Sequence, residues 1–280
     1  MSTEVDSGVG HRRGEPTGSI RTVVRFEGEQ RLRITGILAL VFTVFAALFL
    51  WIGPDVIAAG VFEDILESMP PAFSALFGFE SLGSLEGFIA SEYYTLTVVV
   101  GLGGYLAYSL AGSVAGDLKT DQMDTVLAAP VSRTSVLLGK YLAALVPILA
   151  LSVVVPLVLY VGSLVVDDPM SLGDLAVLHA LSIPYLLCWA AVGLFAGVVV
   201  RRGRAAGRVA IAVVLGTWIV ESAVVETDYE WLGALSPMRY FDPSAVLVDG
   251  TYDLLGAALL LGVAVVLVGA SLVSFQRRDL

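Results

Sequence analysis

The chain has 280 residues, 57% of them hydrophobic and 15% charged, with a mean hydropathy of +0.85 and a formal net charge of −10. A soluble domain of this size needs far more polar surface, so the composition excludes one and indicates an integral membrane protein. The one cysteine, Cys188, sits in an apolar run and excludes an internal disulfide.

The first 19 residues, MSTEVDSGVGHRRGEPTGS, are polar and glycine-rich and read as a disordered tail. SIRTVVRFEGEQRLR follows, with an apolar side made by Ile20, Val23 and Val24. The first apolar run starts only after Arg33 and is long enough to span, which argues for a membrane helix and against a cleavable signal peptide. A spanning helix needs roughly 20 apolar residues. Six segments qualify: Ile34 to Ile52, Tyr93 to Ala115, Tyr141 to Val166, Leu175 to Val200, Val209 to Val225 and Leu254 to Phe275. The expected fold is all-α and polytopic, with residues 20–280 forming a single transmembrane domain.

Between the first two spans, VIAAGVFEDILESM has apolar residues at helical spacing and predicts a helix on the outer membrane surface. MPPAF breaks it, and FGFESLGSLEGF reads as a turn and a second short helix. Trp51, Tyr93, Tyr94, Trp231 and Tyr252 fall at outer span ends, where amphipathic rings favour the headgroup level. Cytoplasmic loops carry an excess of Lys and Arg. Fifteen of the sixteen cationic residues fall in the N-terminal tail, the 116–140 loop, the 201–208 loop or the C-terminal tail; only Arg239 falls on the other side. Both termini are therefore expected in the cytoplasm.

The span interiors lack charge except for Glu221, near the outer end of the fifth span, which reads as an interfacial carboxylate reaching water. This argues against a carrier coupled to protons or sodium. Pro147, Pro156 and Pro184 each remove a helical hydrogen bond, freeing the carbonyls of Ala143, Ser152 and Ala180, and predict kinks. Gly112 with Gly116, and Gly193 with Gly197, permit close helix contact. His179 and Cys188 read as packing residues. No HExxH, Cys/His cluster or serine-nucleophile motif occurs, and LLGKYL is no phosphate loop, because residue 134 is threonine where a glycine is needed.

The most informative stretch is DLKTDQMDTVLAAPVSRTSVLLGK, residues 117–140. Leu118, Met123, Val126 and Leu127 recur at near-helical spacing with Asp117, Asp121 and Asp124 turned away, which predicts a short amphipathic helix on the cytoplasmic surface. Pro130 ends it. Ser132 or Thr134 can cap a new helix, with Arg133 and Lys140 held at the membrane interface as the third span begins.

This loop resembles the cytoplasmic loop of type-2 ATP-binding-cassette transporter permeases, with Asp117, Leu127, Pro130, Val131, Ser132, Arg133 and Lys140 at the matching places. The family usually has Gly-Thr where this chain has Asp121 and Gln122. SIRTVVRFEGEQRLR resembles the family's interfacial elbow helix, and LSPMRYFDPSAVLVDGTYD its outer stretch before the last span. The resemblance implies a membrane-spanning transport subunit in the plasma membrane, moving substrate by alternating access and directed to export. It implies no cofactor in this chain: ATP and magnesium belong to a separate cytoplasmic subunit. That subunit would contact Asp117, Asp121, Asp124, Leu127, Pro130, Ser132, Arg133 and Lys140, which form a coupling helix and its exit. A second copy or a related permease would supply the other half, within membrane lipid; no nucleic-acid partner is expected. The other reading of the residues is a non-transporting assembly or signalling subunit that uses the loop to bind something else.

Overall fold

A computed structural model describes residues 16–59, 83–119, 132–200, 203–224 and 227–277. The tail expected over 1–19 and the surface helix expected in VIAAGVFEDILESM lie largely outside that range. Among the described residues every regular element is helical. Helix α1 runs Pro16–Ala58. The short α2, Leu85–Phe88, continues into a π-helical segment, Ile89–Leu102, and then α3, Gly103–Lys119. Helices α4, Arg133–Ala143, and α5, Leu145–Val165, form the third span. They are followed by α6, Leu172–Val199, and α7, Gly203–Val224. Two 3-10 turns, Glu230–Leu235 and Pro237–Tyr240, and the short α8, Pro243–Leu247, lead to α9, Leu254–Gln276. Six helical segments among the described residues are long and apolar enough to cross a membrane, one at each predicted place.

Helix α6 is the centre of the bundle, packed against α3, α5, α7 and α9, while α1 lies against α4 and α5. Helices α6 and α3 approach each other closely. A side chain on Gly193 would collide with the backbone of Ala107, and one on Gly197 would meet the Ala111 carbonyl at 2.8 Å. Only glycine lets the two backbones come this near. The other glycine pair, Gly112 and Gly116, faces open space and makes no such contact.

The proline expectations divide. The third span breaks at Ala144, whose N–H bonds the Tyr141 carbonyl three residues back at 3.0 Å. Pro147 lies just beyond and has no N–H to offer the Ala143 carbonyl, so the α-helical ladder yields there. Pro156 and Pro184 sit inside the unbroken α5 and α6.

Three expectations need correcting. The stretch predicted as an elbow runs into the first span without a break, giving one 43-residue helix of about 65 Å. That is about twice the ~30 Å hydrocarbon thickness. Tyr93 and Tyr94 are not interfacial but fully buried, whereas Trp51, Trp231 and Tyr252 are exposed. The cause is the π-helical winding, whose i→i+5 bonds carry more residues per turn than an α-helix. It turns Ile89, Tyr93, Tyr94, Val98 and Leu102 to the core. The Tyr93 hydroxyl donates to the Phe42 carbonyl at 3.2 Å, and the Tyr185 hydroxyl to the Val99 carbonyl at 3.1 Å. Glu221 does not simply face water: its Oε2 is covered, next to Gly233, and has no hydrogen-bond partner.

Candidate coupling site

Helix α3 ends at Lys119, and the described chain resumes at Ser132. Asp117 lies in the last turn of α3, and Arg133 opens α4. Asp121, Asp124, Leu127 and Pro130 lie outside the described residues. Ser132 takes an extended conformation (φ −74°, ψ 151°) and caps α4, its Oγ accepting the Ser135 N–H at 3.0 Å. A hydroxyl there meets one of the helix's unpaired amides, which is why Ser-Arg-Thr-Ser starts a helix after Pro130. The last turn of α9 closes over the same place, with Gln276 Nε2 donating to Thr134 Oγ1 at 3.3 Å.

Lys140 does not reach for the membrane surface. It is buried, 3% exposed, and its Nζ donates to Glu27 Oε1 at 2.6 Å and to Ser113 Oγ at 2.8 Å. One turn along, Arg31 Nη1 donates to Ser109 Oγ at 3.4 Å. Glu27 and Arg31 are four residues apart on α1, and Ser109 and Ser113 four apart on α3, so each pair shares a helix face. Lys140 closes the set from α4. The helices can come this close because a side chain on Gly139 would run into Val23, and one on Gly28 would meet Val146 at 3.3 Å. The charge is taken out of water only because a carboxylate and a hydroxyl receive it. The cluster ties α1, α3 and α4 together.

The structure thus brings Ser132 and Lys140 to one end of the bundle, with Asp117 and Arg133 on the flanking helix turns. Sequence reasoning missed Glu27 and Ser113. The available signal was the charged Glu27/Arg31 pair on an otherwise amphipathic segment, which reads as surface until its partner is known.

Six helices among the described residues are of spanning length, and a buried ion pair ties α1, α3 and α4, which is the build of a polytopic membrane protein. Residues 26–280 match the sequence model of the ABC-2 family transporter proteins, and the chain belongs to that family. Its members are membrane subunits, not themselves catalytic, and generally work with an ATP-binding subunit. No curated protein matches the chain.

Proposed function

We propose that this chain is one half of an ATP-driven exporter of the plasma membrane, with residues 117–133 as the handle that a cytoplasmic ATP-binding subunit grips. ATP and magnesium are held by that subunit. The second half of the pathway is a further copy or a related permease. Closure of the ATP-binding subunits moves the handle, and the difference in their affinity for the inward- and outward-open states supplies the work.

The observation that carries this reading is the buried Lys140–Glu27–Ser113 set. A displacement of the loop reaches α3 and α4, the two helices it joins. Because Lys140 binds α1 and α3 at 2.6 and 2.8 Å, it is passed to three elements together and not lost in one flexing turn. The N-terminal half of α1 then rides on α4 through Val23 and Gly139.

Co-purification tests the reading. The full chain should hold its ATP-binding subunit. Replacing residues 117–133 with a Gly/Ser linker should abolish the complex, and a complex that persists would refute the handle. Arg133→Ala and Asp117→Ala should each remove most of the stimulation of ATP hydrolysis by the permease while the chain still folds.

A further inference from the structure

Arg31, on α1, is 7% exposed, yet little holds its charge. Nη1 donates to Ser109 Oγ at 3.4 Å, and Nε is covered and has no hydrogen-bond partner. A guanidinium carries five N–H donors and a full positive charge. Among the described residues no carboxylate pairs with it. Glu29 is taken by Arg25 at 2.9 Å, Glu230 by Arg239 at 2.8 Å and Glu27 by Lys140 at 2.6 Å. Burying a charge away from its counter-charge is costly. With Nε covered, the compensating charge has to come from the protein.

One carboxylate is placed to supply it. Glu27 precedes Arg31 by four residues on α1, the spacing and order in which a glutamate and a basic residue pair best along a helix. Glu29 is two residues from Arg31, so the two do not face each other, and it is exposed. In the structure Glu27 reaches across to α4 instead. The hydroxyls on α3 repeat the same step: Lys140 Nζ donates to Ser113 and Arg31 Nη1 to Ser109, one turn apart. Two buried cations thus stand beside one carboxylate, and each also has a serine on α3.

We propose that Arg31 is the second partner of Glu27, and that the carboxylate passes from Lys140 to Arg31 when α4 shifts against α1. This rests on reading the chain as a transporter subunit whose loop is driven by an ATP-binding partner. While Lys140 holds Glu27, α1, α3 and α4 move as one. Once Arg31 takes it, α4 stays tied to α3 through Ser113 but is released from α1, and the carboxylate is never left bare. A single permanent pair fixes one register of α4 on α1. A carboxylate with two cations in reach gives two, and a two-position contact of this kind is what a switching transition needs.

A melting cycle on the full chain in lipid nanodiscs tests the partnership without any ATP-binding subunit. Arg31→Met keeps the apolar stem and removes the charge. In the unsubstituted chain, where Lys140 holds Glu27, it should move the melting temperature little. In a Lys140→Met background Arg31 is the cation left to Glu27, so the same substitution should cost about 2–4 °C more. An equal or smaller effect in that background means that Glu27 does not turn to Arg31, and overturns the proposal. Coupling gives a second readout. The complex with the ATP-binding subunit should survive Arg31→Met but lose most of its stimulated ATP hydrolysis, and Arg31→Lys should recover part of it, because the charge and the order of the pair are kept. Stimulation untouched by Arg31→Met also overturns the exchange. If Lys140→Met fails to fold, this readout decides. An unsubstituted chain that binds no ATP-binding subunit refutes the handle instead, and the melting cycle still decides whether Glu27 has one partner or two.

Discussion

At Gly193 the bundle has no room for a methyl group. A Cβ there would strike the Ala107 backbone, which cannot swing away as a side-chain end could. Gly193→Ala should destabilise the chain by about 1–3 kcal/mol, the usual cost of overpacking. Gly112→Ala is the matched control. Its Cβ would meet nothing within 4 Å, and alanine is the better helix former by about 1 kcal/mol. Thermal unfolding of the two purified variants should therefore give a clear drop for the first and no loss for the second. Two glycine pairs with identical spacing are indistinguishable in sequence. What separates them is which side of α3 and α6 the rest of the bundle occupies. The same blindness affects Tyr93 and Tyr94. An aromatic pair at a span end reads as an interfacial belt unless the winding of the helix is known, and composition does not reveal a π-helical winding. His179, by contrast, is legible as a packing residue, and the structure buries it.

Helix α4 depends on an ion pair that reaches 113 residues back in the chain. The Lys140 and Glu27 side chains are 4% and 14% exposed, so neither has water to fall back on. Removing one partner strands the other in the interior, at a cost of about 3–5 kcal/mol. Lys140→Met and Glu27→Gln should each cause a large loss of thermal stability. The exchanged pair, Glu27→Lys with Lys140→Glu, should restore part of it, because the Coulomb attraction survives reversal. A double-mutant cycle measures the coupling, and an additive result would mean that the lysine is held by packing alone. The cycle also bears on transport. If the pair links the loop to α1, the exchanged variant should regain stimulated ATP hydrolysis along with stability. Hydropathy alone located all six spans, since an apolar run of spanning length has few other uses. Their ends were not legible. Helix α1 begins well before Ile34 because Val23 and Glu27 find partners on α4, and α2 begins before Tyr93 because Ser84 caps Leu85–Phe88 through the Gly87 N–H at 3.1 Å. Half of the candidate site was legible in the same way. Ser132 follows from local capping chemistry, whereas Glu27 and Ser113 belong to helices that only the folded bundle brings together.

Across the whole molecule charge is sorted by end. Among the described residues Arg133, Arg204, Arg208 and Arg277 lie on helix turns at the end where α3 finishes and α4 begins, and the far end carries Asp167, Asp168, Asp174, Asp242, Asp249 and Asp253 with Arg239. Two contacts fix the ends relative to each other. Gln276 reaches Thr134 at the arginine-rich end, and Tyr252 donates to Asp174 Oδ1 at 3.3 Å at the acidic end. Positive loops stay in the cytoplasm, where ATP is, so the handle and the energy source should share a compartment. Cys188 makes this simple to check. It is fully buried and is the chain's one cysteine, so Cys188→Ala gives a background without thiols. On that background Thr251→Cys and Gln276→Cys place a single exposed thiol at opposite ends. A membrane-impermeant maleimide added to intact cells should label position 251 at once and position 276 only after permeabilisation. The reverse pattern would put residues 117–133 outside the cell, beyond any ATP-binding subunit, and no rearrangement within the bundle could bring them back, because α4 is locked to α1 and α3 by a buried charge.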